Sequence, residues 1–179
     1  IDTAVASLTF TNSTSGAVSI AEANGLSVGG SNAGNVTVST ATGDLAVGAI
    51  VATGNAVTVT ATTGAITDGN VAATNVTAAS LDATAATGID LDTAIASLNA
   101  SVTGVGAIDI DNTSASLTLT DVDTSDGNIG IDTSSTLIAT DVVAGGAGDV
   151  MLTSATGGIA VGAIDATGDD VTLTATTGA

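Results

Sequence analysis

GNVTVSTATGDLAVGAIVATGNAVTVTATTGA, residues 34–65, returns as GDVMLTSATGGIAVGAIDATGDDVTLTATTGA at residues 148–179, an offset of 114 with 21 of 32 positions identical and no gap. Such a match is a duplication rather than a shared bias in composition. A shorter echo sets DTAVASL, from Asp2 to Leu8, against DTAIASL, from Asp92 to Leu98, at an offset of 90. The chain starts at Ile1, without a methionine, and stops at Ala179, where the first copy runs on into Ile66. The expectation is one continuous repeat segment over 1–179, a window of a longer array.

Inside the long repeat lies a shorter rhythm. Apolar pairs two residues apart occur at Val36 and Val38, Val57 and Val59, Ile89 and Leu91, Ile108 and Ile110, Ile129 and Ile131, Val150 and Leu152, and Val171 and Leu173. Most steps between them are 19 or 21 residues, with a break between residues 60 and 89. Leu45 with Val47 and Leu117 with Leu119 form a second set lying between the first. Alternation of aliphatic residues with Thr, Ser and Asp has the period of a half-buried strand and not the 3.6 of a helix. Gly and Asn clusters between the pairs supply tight corners. Abundant Ala favours helix, but β-branched Val and Thr and frequent Gly oppose it. The prediction is an all-β parallel β-helix (β-solenoid) with coils of about 19–21 residues, each coil burying its apolar positions against the next. A β-sandwich array is the alternative fold.

Composition narrows the function. The 179 residues include no Lys, Arg, His, Cys, Pro, Trp or Tyr, and one Phe, while seventeen Asp and one Glu give a formal charge of −18. Without basic residues the chain lacks the groups that draw nucleic acid or an anionic membrane surface. No apolar run is long enough for a membrane-spanning helix, so membrane insertion is not expected. Catalytic acid–base and nucleophilic chemistry draws on side chains that are nearly all missing, so no catalytic residue and no enzymatic role are assigned. A hydrophobic fraction of 44% still distinguishes the chain from a disordered acidic polymer.

Three groups of residues invite a binding role. Asp121, Asp123 and Asp126 in TDVDTSDGN approach a calcium loop, although the third acid and Gly127 fall one place late. Aligning Ile89, Ile108 and Ile129 puts Asp92, Asp111 and Asp132 in one outward column and Asp90 beside Asp109 in another, a second place where calcium would relieve like charge. Thr58 with Thr60, Thr118 with Thr120, and Thr172 with Thr174 present outward hydroxyl pairs of the kind that form an ice-binding face. No cofactor is required by any of these readings.

VTVTATTGAI (57–66), GIDLDT (88–93), AIDIDNTSASLTL (107–119) and DGNIGIDT (126–133) resemble the repeat regions of very large bacterial exoproteins of the filamentous-haemagglutinin type. The resemblance implies a right-handed β-helix exported to the bacterial cell surface, with a role in adhesion, biofilm or filament formation. The expected function is therefore a structural or adhesive extracellular shaft that associates with itself, head to tail or laterally, and with a host or neighbouring cell surface. A ligand-binding module for ice, glycan or protein is the alternative.

Overall fold

A computed structural model describes residues 1–71, 73–167 and 169–177. Among the described residues seventeen strands, every pair parallel, stack into a β-solenoid of about eight turns, and none is helical. The sandwich alternative is thereby excluded.

Each coil crosses two long stacks. The first stack takes β1 (Asp2–Thr3), β3 (Val18–Glu22), β5 (Val36–Thr40), the second half of β6 (Leu45–Ala61), β8 (Val76–Ala85), β10 (Ser97–Val105), β12 (Ser116–Asp126), β14 (Thr136–Ala144) and β16 (Ile159–Ala166). The second takes β2 (Ser7–Asn12), β4 (Leu26–Asn32), the first half of β6, β7 (Ile66–Asp68), β9 (Ile89–Ala94), β11 (Ile108–Asn112), β13 (Ile129–Thr133), β15 (Val150–Ser154) and β17 (Val171–Ala175). The strands form because Val, Ile and Leu at alternate positions point inward and meet the same positions of the next coil, about 4.8 Å away in a parallel stack. Val18, Val36, Val57, Leu81, Leu98, Leu119, Ala139 and Val161 follow one another in one such column. Leu26, Leu45, Ile66, Ile89, Ile108, Ile129, Val150 and Val171 make another.

These registers correct the single column expected from spacing. Val36 and Val57 belong to the first stack, whereas Ile89, Ile108, Ile129, Val150 and Val171 belong to the second, in line with Leu45. The break between residues 60 and 89 has two causes: a change of stack and a coil that runs 23 residues, from Ile66 to Ile89. Its extra length follows β7, around Val71, which carries a positive φ of 68° and is 84% exposed.

The two stacks explain the duplication. Val36 lies in the first stack and its copy Val150 in the second, while Leu45 lies in the second and its copy Ile159 in the first. The 114-residue offset thus spans five and a half coils. The shorter echo behaves alike, since Leu8 pairs within the second stack and Leu98 within the first. The sequence unit is half a coil, and either stack accepts it.

Of the paired apolar residues expected to be buried, Val36, Val38, Val57, Val59, Ile108, Ile110, Ile129 and Ile131 are 0–1% exposed. Val171 and Leu173 differ, at 46% and 44%, because they lie on β17, on which no other described strand stacks. Corners close tightly where backbones of successive coils touch. A Cβ at Gly127 would lie 2.1 Å from the carbonyl oxygen of Gly106, and one at Gly148 would lie 2.1 Å from that of Gly127. Only glycine fits such an approach.

Candidate functional site

The acidic ladder sits on the second stack, facing out. Asp90 pairs in register with Asp109, and Asp111 pairs with Asp92 on one side and Asp132 on the other. The alignment expected from sequence is therefore the one the backbone adopts. Inward Ile108, Ile110, Ile129 and Ile131 fix it, since a slip of one residue would turn every one of them to solvent. Burial, and then the facing carboxylates of Asp109, Asp68 and Asp92, push Asp90 above the usual aspartate range. Asp111 is raised by burial and then by Asp132, Asp109, Asp92 and Asp90. The ladder ends where Asp109 is followed by Gly130 and Met151, and Asp132 by Thr153.

The other acids proposed for calcium are arranged differently. Asp121, Asp123 and Asp126 all fall within β12, so the segment read as a loop is extended strand. The Asp123 carboxylate accepts a hydrogen bond from the Ser101 hydroxyl at 3.0 Å, and Asp126 accepts one from the Ala147 amide at 3.3 Å. Extended backbone spreads these carboxylates along an edge instead of wrapping them around a point. Among the described residues no three acids converge closely enough to hold a metal ion.

The threonine pairs do not share one face. Thr58 and Thr60 lie on the first stack, Thr172 and Thr174 on the second. Thr118 and Thr120 are also on the first stack, but Thr120 sits in a bulge opposite the Leu98–Asn99 step and donates its hydroxyl to the Leu98 carbonyl at 2.8 Å. Thr58 is followed by Asp82 and Asn99. One hydroxyl rank does run unbroken, through Ser39, Thr60, Thr84 and Ser101, before Asp123 interrupts it.

Sequence reasoning missed the polar residues that turn inward at strand ends. Glu22 is 2% exposed and accepts hydrogen bonds from the Thr3 hydroxyl and from the amides of Val5 and Ala23, each 3.0 Å, and Asn24 at 3.4 Å. The Thr3 hydroxyl foremost, helped by those amides, holds its carboxyl below the usual glutamate range. Asn12 donates to the Asn32 side-chain oxygen at 2.7 Å, and Asn32 in turn donates to the carbonyls of Gly16 and Asn35 at 3.0 and 2.8 Å. Fully buried Asn75 donates to Asp68 and to the Val47 carbonyl, each at 2.7 Å, and accepts from the Asp92 amide at 2.7 Å. That bond is the main reason the Asp68 carboxyl lies low, with the Asn70 amide second. At the equivalent corner of β11, Asn112 accepts from the Thr93 hydroxyl and the Ile95 amide at 3.0 Å each, while its buried Nδ2 has no protein partner. The visible signal was spacing: Asn12 and Asn32 are 20 residues apart, one coil.

No family model matches the chain, and no curated protein or solved structure matches it. The fold and its internal copies define the class: a β-solenoid built from repeats.

Proposed function

We propose that this chain is a shaft: an extracellular, bacterial surface β-solenoid, in the manner of the filamentous-haemagglutinin exoproteins its repeats resemble, that carries load and reach and associates with further copies. The observation that carries the reading is the continuous parallel stacking from β1 to β17, with aliphatic columns running the length of the molecule. A stack of this kind gains length coil by coil at about 4.8 Å each, and it stays stiff because every coil is held by both neighbours. Its outer surface, acidic and hydroxylated without basic groups, supports a role in solvent over one at nucleic acid.

The test is a reach measurement. The chain is placed between a cell-surface anchor and a labelled tip, and the tip height is compared with that given by a Gly/Ser linker of equal residue number. About eight coils should raise the tip by roughly 4 nm, with a narrow spread. A tip height as broad as the flexible linker's would overturn the shaft.

A second reading, a ligand-binding face for ice or glycan, draws on the Ser39–Thr60–Thr84–Ser101 rank. Thermal hysteresis or glycan capture lost on Thr60→Val, with the fold retained, would support it.

A further inference from the structure

Of the ten asparagines in the chain, Asn24 alone is followed by glycine, Gly25. The pair forms the corner between β3 and β4, and both residues are exposed. The residues around it are well held. The Glu22 carboxylate accepts from the Ala23 and Asn24 amides at 3.0 and 3.4 Å, and the Thr42 hydroxyl donates to the Ala23 carbonyl at 2.9 Å. Two groups are left over: among the described residues, neither the Asn24 side-chain amide nor the Gly25 backbone N–H makes a hydrogen bond within the protein. Asn99, whose side chain is equally free, lies inside β10 and is followed by Ala100, whose Cβ crowds its own nitrogen.

We infer that Asn24 is a modification site at which the chain deamidates itself, through attack of the Gly25 nitrogen on the Asn24 side-chain carbonyl. Glycine matters because no Cβ stands beside the attacking nitrogen. Hydroxide takes the Gly25 amide proton, a bond forms from Gly25 N to Asn24 Cγ, the Cγ–Nδ2 bond breaks, and ammonia leaves with a proton from water. A second water then opens the cyclic imide. Opening at one carbonyl leaves an aspartyl residue, and opening at the other leaves an isoaspartyl residue whose main chain runs through Cβ. Water is the only co-reactant. The step at Asp68 and Gly69 is protected, since the Asp68 carboxylate accepts from the Asn70 and Val71 amides at 2.8 and 2.9 Å and the Gly69 amide donates to the Val47 carbonyl at 2.8 Å. Asp68 and Asp126, each followed by glycine, also have no ammonia to lose.

The position of the corner gives the reaction its consequence. Leu26 pairs with Leu45, and its amide donates to the Asp44 carbonyl at 3.0 Å, so Gly25 lies against Asp44 of the next coil. A Cβ on Gly43 would stand 3.0 Å from the Gly25 nitrogen, which places the two corners in close apposition. Either product brings a new carboxylate beside the coil of Asp44, in a chain with no basic residue to offset it. The isoaspartyl product also lengthens the main chain by one carbon where the corners touch. Deamidation therefore loosens the corner between β3 and β4 from the corner between β5 and β6, once and irreversibly. Asn24 is a chemical timer on a single coil.

The test holds the 179-residue chain at body temperature in mildly alkaline buffer for weeks. Mass spectrometry of its thermolysin peptides reads the change from amide to acid at each asparagine. A free peptide of residues 21–27, kept alongside, gives the rate without the fold. The expected result is conversion at Asn24 ahead of every other asparagine, at a rate proportional to hydroxide, with aspartyl and isoaspartyl products together. Amide hydrogen exchange at Leu26 should quicken in the converted protein. Asn24→Ser should abolish the reaction and Gly25→Ala should slow it severalfold, with circular dichroism confirming the fold of each. An Asn24 that stays intact while the free peptide converts, another asparagine that converts first, or converted protein that exchanges at Leu26 as the fresh chain does would overturn the inference.

Discussion

Thr133→Asn should stabilise the molecule. Asn112 and Thr133 are register partners on β11 and β13, and both are buried, at 2% and 4% exposure. The Asn112 oxygen is engaged by Thr93 and by the Ile95 amide, which fixes the amide's orientation and turns Nδ2 to a place with no protein acceptor. Asn12 and Asn32, also register partners, show the completed arrangement, with a 2.7 Å bond from one amide to the next and an onward bond to the carbonyl three residues later. An asparagine at 133 supplies both the missing acceptor and a donor for that onward carbonyl. A buried donor left without a partner costs about 1–3 kcal/mol, and the gain is reduced by fixing a larger side chain, leaving about 1 kcal/mol. For a chain of this size that corresponds to a rise in Tm of about 2–4 °C. The assay is a thermal melt of four proteins: wild type, Thr133→Asn, Asn112→Ala, and the double variant. Asn112→Ala should lose about 1–3 kcal/mol because the Ile95 amide is orphaned, and in that background Thr133→Asn should give no gain. A Thr133→Asn melt at or below wild type, or an equal gain in both backgrounds, would refute the ladder.

Three further outcomes follow from packing and charge. Ile110, fully buried between Leu91 and Ile131, should lose several kcal/mol as Ile110→Asp, about the cost of an unpaired buried carboxylate, whereas half-buried Thr118→Asp loses about 1 kcal/mol or less; equal losses in urea titration would reverse the strand phase. Gly127→Ala puts a Cβ 2.1 Å from a backbone oxygen, so it should cost about 2 kcal/mol or more and open the adjoining corner to hydrogen exchange; a melt within error of wild type would show that the corner yields. Asp90 and Asp111 are raised above 3.8 in the fold, so they bind protons that the unfolded chain releases, and stability should rise as pH falls from neutral through their folded pKa toward 3.8. Glu22 and Asp68 are lowered from 4.5 and 3.8, so their contribution is complete above those values and lost as pH falls through their folded pKa. A melt series should show a maximum in mild acid, and Asp111→Asn should flatten the rise; stability that falls steadily from pH 7 downward would contradict the carboxylate ladder.

Strand phase was legible because Val-x-Val and Ile-x-Ile alternation has a single solution when one face is buried, as Ile108 with Ile110 and Ile129 with Ile131 show. The Asp92–Asp111–Asp132 register followed from the same alignment. Stack membership was not legible. Val36 and Val150 hold the same position in the two copies, and nothing local says which side of the coil each will occupy. The inward polar corners were hidden for another reason: Asn32, Asn75 and Glu22 are polar residues beside tight corners, and only stacking shows that their amides and carboxylate satisfy backbone groups of the preceding coil.

The half-coil spacing of the two long copies has a genetic consequence. Recombination between them deletes 114 residues, and the join is structurally silent in the core because Val150 enters the place of Val36 and Ile159 that of Leu45. Everything downstream nevertheless arrives on the other stack, rotated by half a turn about the axis. Length and aim are inherited together.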